Sequence, residues 1–317
     1  MVSILDCYKG SLVGVLCGDA LGAPYETWTE DRILADINSR GGLVLFDYDD
    51  PWGKDGRFPA GRPTDDSEMT AALAEYLVHG GGPEKLYALF RKCVIDKKSF
   101  LCDLPAYGFG GTTRNALAQP TYLEALANPD PNDPIPSNGS LMRAAPIALL
   151  VRGQPVLVRE LAEMQALMTH RHPEAIAATV AYSLILDHVL DGFTYKTAVK
   201  KTLELIPLND GYERIAKVLL RGKPKKPQPP THKFRGGAVY SLRVVHWAVS
   251  TSSSFEEGIF KAVTIGGDTD TYAAIAGGML GAMYGVHAIP EKWSSGLLGR
   301  ARMCELAAKL CELNVRR

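Results

Sequence analysis

The chain has 317 residues, with 35 basic and 35 acidic side chains and no net charge at pH 7. That length can bury a sizeable core, and the neutral balance argues against a nucleic-acid or membrane surface held by charge. Six cysteines (Cys7, Cys17, Cys93, Cys102, Cys304, Cys311) show no Cys-x-x-Cys spacing and read as reduced core thiols. Asp6 and Lys9 interrupt the N-terminal apolar stretch, which argues against a signal peptide, and no apolar run reaches membrane-spanning length. A soluble cytoplasmic monomer is the expectation.

The first helix is predicted from about Ser3 to Leu21, with Leu5, Leu12, Leu16 and Ala20 on helical spacing. It closes in small residues and stops at Pro24. Asp19 reads as a structural carboxylate bonded to nearby backbone. Glu26 follows in a non-helical segment, either solvated or reaching into a cleft. Residues 33–61 are rich in Gly, Asp and Pro and read as an irregular loop, with Asp47, Asp49 and Asp50 solvated. The loop leads into PAGRPTDDSEMT at Pro59–Thr70, where Thr64, Asp65, Asp66 and Ser67 precede the helical pattern Met69, Leu73, Tyr76, Leu77. Further helices are expected over Glu68–His79 and Pro83–Lys98.

The stretch AYGFGGTTRNAL at Ala106–Leu117 sets Tyr107 before Gly108 and Phe109 between Gly108 and Gly110. Such aromatics have room to stack on a flat ligand, with core packing as the alternative. Asn128–Pro136 reads as a proline-rich surface loop. It delivers the chain to Ser137-Asn138-Gly139-Ser140-Leu141-Met142-Arg143 and then to an apolar helix. Asn, Gly and Ser at a helix start either cap it or hold an anion on free N–H groups; Arg143 is expected to pair with a core carboxylate. A helix over Val158–Thr169 ends at His170, Arg171 and His172, which suit the negative end of its dipole. Helices over Glu174–Leu190 and Gly237–Ser250 flank RGKPKKPQPPTHKFRGG, residues 221–237, a basic exposed loop. Ser252–Glu257 caps the following helix, and Pro290–Arg317 ends in an amphipathic one.

The most informative stretch is AVTIGGDTDTYAAIAGGMLGAMYG, Ala262–Gly285. Gly266 and Gly267 form a turn that delivers Asp268, Thr269, Asp270 and Thr271 to the start of a helix of small residues. Alone, the cluster reads equally as caps or as cation ligands. Paired with Thr64, Asp65 and Asp66, it offers four carboxylates and several hydroxyls without Cys or His. That donor set selects Mg²⁺ or Mn²⁺ and can hold two ions about 3.5–4 Å apart. With no repeat and no strand alternation, the fold class is all-α: one compact domain over residues 1–317.

In these blocks the chain resembles the ADP-ribosylglycohydrolase family, which includes the dinitrogenase-reductase-activating glycohydrolase and the vertebrate ADP-ribosyl-acceptor hydrolases. The matching segments run in family order: GVLCGDALGAPYE at Gly14–Glu26, RPTDDSEM at Arg62–Met69, SNGSLMRAAPIAL at Ser137–Leu149, THRHPEA at Thr169–Ala175 and the glycine-rich block at Ile265–Gly285. The resemblance covers about residues 4–295. It implies an orthogonal helical domain with a binuclear Mg²⁺ or Mn²⁺ site in a central cleft, held by Thr64, Asp65, Asp66, Asp268, Asp270 and Thr271. It also implies Glu26 as catalytic acid/base, aided by Asp65, Asp66 and Asp268. The ligand side would comprise Tyr107, Gly108, Phe109, Gly110, the Asn138-Gly139-Ser140 turn at the diphosphate, Met142 and His170. Many relatives carry Asp-Ile-Gly where this chain has Gly108-Phe109-Gly110; Tyr107–Gly110 is more similar to the branch that cleaves serine-linked ADP-ribose. The implied reaction is removal of ADP-ribose from a protein or small-molecule conjugate, serine-linked first. Arginine-linked or small-molecule ADP-ribose is the alternative, and a non-catalytic member, like the family's lens crystallins, is a third reading.

Overall fold

The computed structural model describes residues 2–50, 56–127, 136–207, 211–220, 224–228 and 235–315. Residues 128–135 of the expected loop at Asn128–Pro136 and most of the basic loop at 221–237 lie outside them. Three helices that are apolar on every side form the centre: α1 (Ile4–Gly22), α9 (Pro173–Leu190) and α14 (Thr269–Tyr284). A helix of that composition has no solvent face to offer and is stable only when surrounded. The surrounding shell comprises, in chain order, α2 (Glu30–Ser39), α3 (Asp65–His79), α4 (Pro83–Val94), the short α5 (Gly111–Ala116) and α6 (Tyr122–Ala127), α7 (Ala145–Leu150) and α8 (Pro155–Leu167). After α9 follow α10 (Tyr195–Leu205), α11 (Tyr212–Leu219), α12 (Ala238–Ser250) and α13 (Phe255–Thr264), and after α14 come α15 (Glu291–Ser294) and α16 (Arg300–Val315). α4 shows the shell pattern: Leu86, Tyr87, Phe90, Cys93 and Val94 are buried while its charges face out.

The all-α expectation holds. Among the described residues the only strands are two-residue pieces, β1 (Tyr48–Asp49) and β2 (Arg57–Phe58), paired antiparallel. α2 corrects the reading of residues 33–61 as loop throughout. Its acidic first turn, Glu30 and Asp31, and its buried Ile33 and Ile37 stabilise one short amphipathic helix ahead of the glycines. The helix at Pro83 stops at Val94, before Lys98, because the chain turns through Lys97 at φ 53°. All six cysteines are free, with Cys17 and Cys93 buried. No helix among the described residues is long and apolar enough to cross a membrane.

The contact that positions the site is α1 against α14. Glycines recur every fourth residue along one face of α1, at Gly10, Gly14, Gly18 and Gly22. Cβ atoms built on them would fall 2.2 Å from Gly281 O, 2.1 Å from Gly277 O, 1.9 Å from Ala273 O and 2.4 Å from Thr269 O, respectively. The partner numbers fall as those of α1 rise, so the helices run antiparallel, backbone on backbone. The end of α1 therefore meets the start of α14.

Candidate active site

That meeting brings Glu26 beside the Asp268–Thr271 cluster. Glu26 follows a short 3-10 turn, Ala23–Tyr25, begun by Pro24. The next residues are tied to the glycine turn: Thr27 N–H donates to Gly267 O at 2.6 Å and Gly267 N–H donates to Trp28 O at 3.1 Å. Thr27 has φ 73°, a strained conformation for a β-branched residue that the two bonds hold in place. Gly266 has φ 79° and its missing Cβ would sit 2.7 Å from Trp28 O, so the turn requires glycine. One carboxylate oxygen from each of Glu26, Asp268 and Asp270 lies within 4.8 Å of the others.

The start of α3 forms the second wall. Asp19, fully buried on α1, accepts bonds from Thr64 N at 2.9 Å, Thr64 Oγ1 at 2.7 Å and Ser67 N at 3.1 Å. Its structural reading holds, with α3 supplying the partners. Thr64 Oγ1 also caps Asp66 N, which frames the start of α3. Asp65 faces the cleft, while Asp66 is buried behind it. Thr271 Oγ1 donates to Asp66 Oδ2 at 3.4 Å, joining the α3 and α14 starts, and Asp66 Oδ1 is buried without a hydrogen-bond partner.

Burial, then mutual repulsion, raises these acids. Asp65, Asp66 and Asp270 lie well above the usual carboxylate range, and Asp268 is raised by burial although Asn138 opposes the shift. Glu26 is pushed up to about 7 by burial and by Asp268, with Arg235 pulling the other way. So many buried carboxylates repel one another unless positive charge joins them. The all-oxygen donors and the orphaned Asp66 Oδ1 fit a hard divalent cation.

A cavity of about 270 Å³ opens over the acids. Glu26, Asp65, Asp268, Asp270 and Thr271 line it, facing Gly108, Gly110, Asn138, Gly139, Met142 and His170. Gly108 has φ 98°, and a Cβ on it would lie 2.6 Å from Asp65 Oδ1. Asn138 Nδ2 donates to Asp268 Oδ2 at 2.7 Å and to Ser241 Oγ at 2.9 Å, so the side chain orients the aspartate. His170 is buried, its Nδ1 bonded to Thr169 Oγ1 at 2.7 Å. Burial and Arg143 lower its pKa to about 3, so the ring is neutral.

Four expectations need correction. The Ser137–Ser140 turn is not a helix start, because α7 begins only at Ala145; Asn138 N–H is already bonded to Gly236 O at 2.9 Å. The Ser140 hydroxyl is buried against Thr179 Oγ1 at 2.9 Å, away from the cavity. Tyr107 packs on Phe58 at 4.3 Å between ring centroids and bonds Tyr48 through its hydroxyl; Phe109 is half-buried against the core, and neither ring lines the cavity. Arg143 forms no ion pair with a carboxylate among the described residues, though the charge of Asp65 acts on it: its guanidinium bonds Gln165 and Thr169 Oγ1 and lies over Phe90. The sequence reading missed Thr27, Thr112, Thr113 and Arg235, all in the lining. Arg235 sat in a loop read as solvated, and nothing in its local pattern marks it.

Buried carboxylates that converge on a cleft in an all-α chain make a candidate site for a hard cation. Residues 2–317 match the family model described as ADP-ribosylglycohydrolase, and the chain belongs to that family. It is 28% identical to the ADP-ribosylarginine hydrolase Tri1 of Serratia proteamaculans, over 96% of this chain and 79% of the relative. It is 25% identical to the mouse ADP-ribosylhydrolase ARH3, over 96% of this chain and 90% of that one. A solved structure titled ADP-ribosylglycohydrolase-related protein complex superposes with a TM-score of 0.76 at 29% identity, covering 98% of this chain and 99% of the other.

Proposed function

We propose that this glycohydrolase releases ADP-ribose from serine-linked conjugates by cleaving the bond at the ribose anomeric carbon. The observation that carries the reaction is the Glu26–Asp268–Asp270 cluster in a cavity that Asp65 also lines. Thr64, Asp65, Asp66, Asp268, Asp270 and Thr271 would hold two divalent ions, Mg²⁺ or Mn²⁺. When bound, such ions fix ribose hydroxyls and lower the pKa of water.

The remaining roles belong to the chain. Glu26, whose carboxyl pKa is pushed up by burial, would give a proton to the leaving oxygen or take one from the attacking water. Asn138 keeps Asp268 oriented. Gly139 brings backbone close to His170, where a Cβ would lie 2.7 Å from the ring, and this narrows the cavity around a ribose. Arg235 supplies the cationic side chain of the lining and suits the diphosphate.

The serine linkage rests on Tyr107–Gly110. Gly108 leaves no room for a side chain beside Asp65, so the aspartate of Asp-Ile-Gly relatives has no counterpart here. Arginine-linked ADP-ribose is the second reading, favoured by the likeness to the Serratia enzyme. A comparison of ADP-ribose release from serine-linked and arginine-linked peptides, each with Mg²⁺, Mn²⁺ or chelator, decides between them. Metal-dependent release from the serine peptide alone is expected. Release from the arginine peptide alone selects the second reading, and release from neither sinks both.

A further inference from the structure

A second cavity, of about 330 Å³, lies next to the first. Arg214 and Lys217 line it from α11, Tyr240 and Arg243 from α12, and Glu174 from the start of α9. The spacing of three puts each pair on one helix face. Glu174 accepts Arg214 at 2.7 Å, and Lys217 is 3.8 Å from the exposed Glu213. Arg243 forms no ion pair among the described residues. Among the described residues, three cations and one carboxylate thus face the groove in a chain whose net charge is zero.

Adjacent residues of two chain segments separate the two cavities. Ser137 and Gly236 face the catalytic cleft, while Pro136 and Gly237 face the groove. An isolated bridge pairs Ser137 with Gly237, closed by Asn138 N–H to Gly236 O at 2.9 Å and Ala238 N–H to Pro136 O at 2.8 Å. An extended peptide advances roughly 3.3–3.6 Å per residue. A conjugate whose modified side chain enters the cleft therefore carries its neighbouring residues onto the groove within a few positions.

We propose that this groove docks acidic residues flanking the modified residue of an ADP-ribosylated acceptor protein. The inference rests on the glycohydrolase reading above. Charge complementarity selects the occupant: the rim is cationic, and its open side chains are suited to several carboxylates on a mobile segment. Each exposed pair is weak alone, so the preference acts through a run of acids and is screened by salt.

The test uses the double charge reversal Lys217→Glu with Arg243→Glu, which leaves the Arg214–Glu174 pair intact. Three substrates share the linkage that the enzyme cleaves: a peptide with Asp and Glu around the modified residue, the same peptide with Asn and Gln, and the ADP-ribosylated free amino acid. The wild type should prefer the acidic peptide by about tenfold in kcat/KM at low salt, through KM. The double variant should lose or invert that preference while turning over the free amino acid as the wild type does. Equal use of the two peptides by the wild type, or the same preference in both proteins, overturns the proposal. If the wild type turns over none of the three, the glycohydrolase reading fails. Fluorescence anisotropy of the two peptides then decides the groove by itself, equal affinities overturning it.

Discussion

Gly14 and Gly277 meet through their backbones: a Cβ on Gly277 would fall 2.0 Å from the carbonyl oxygen of Gly14, and one on Gly14 would fall 2.1 Å from that of Gly277. The contact sits midway along the antiparallel α1–α14 pair, whose far end juxtaposes Glu26 with Asp268 and Asp270. Gly277→Ala should destabilise the fold by about 3 kcal/mol, the upper part of the usual overpacking range, since the atom in the way is backbone and the helices must separate. Denaturant unfolding checks this; a variant as stable as the wild type would show that the helices are not in contact there.

Gly108→Asp restores the residue that many relatives carry, and it should lower activity. The backbone at φ 98° disfavours any side chain, and the new Cβ would press on Asp65 Oδ1. The added carboxylate also joins acids whose ionisation is already opposed. A drop in both Tm and metal affinity is expected. A variant with improved turnover would mean that the loop at Gly108 rearranges freely.

Asn138→Ala removes the donor that holds Asp268 Oδ2 and leaves Ser241 without that partner. A loss of about 10–100-fold in metal affinity or turnover is expected, the usual effect of removing a group that orients a ligand. Unchanged metal affinity by calorimetry would mean that Asp268 needs no orienting partner.

The acids give the metal-free protein an unusual pH dependence. Folded pKa values are raised to about 6 at Asp19 and to about 7 at Glu26 and Glu68, burial being the first cause in each case. Raised carboxylate pKa values mean that the folded state binds more protons than the unfolded state. Stability of chelator-treated protein should therefore fall as pH rises from about 4, the ordinary carboxylate range, to about 7. Mg²⁺ or Mn²⁺ should restore most at the upper end, where it no longer competes with protons. Thermal melts at three pH values, with and without metal, check the slope; a metal-free stability that rises over this window would contradict the raised values.

The acidic clusters and the helix starts were legible because Asp, Thr and Gly at α3 and α14 announce themselves locally. The α1–α14 pairing was only half legible: small residues signal close approach, but the partner and direction depend on contacts between residues more than two hundred positions apart. Glu26 could be placed past the helix end, yet its place in the tight cluster follows from the Thr27–Gly267 bonds. Tyr107 misled because an aromatic beside a glycine has the same local pattern whether it meets a ligand or, as here, Phe58 and Tyr48. Asn138 was singled out for its backbone, whereas its side chain does the positioning.

The most direct measurement is ADP-ribose release by the wild type and by Asp268→Ala, each with Mg²⁺ and with chelator, on the conjugate the wild type cleaves best. The wild type should turn over only with metal, and Asp268→Ala should lose more than the roughly 10–100-fold expected for an orienting group such as Asn138, while retaining its helical circular dichroism. Wild-type release that is indifferent to chelator, or an Asp268→Ala variant as active as the wild type, would contradict a metal-assisted site at the junction of α1 and α14.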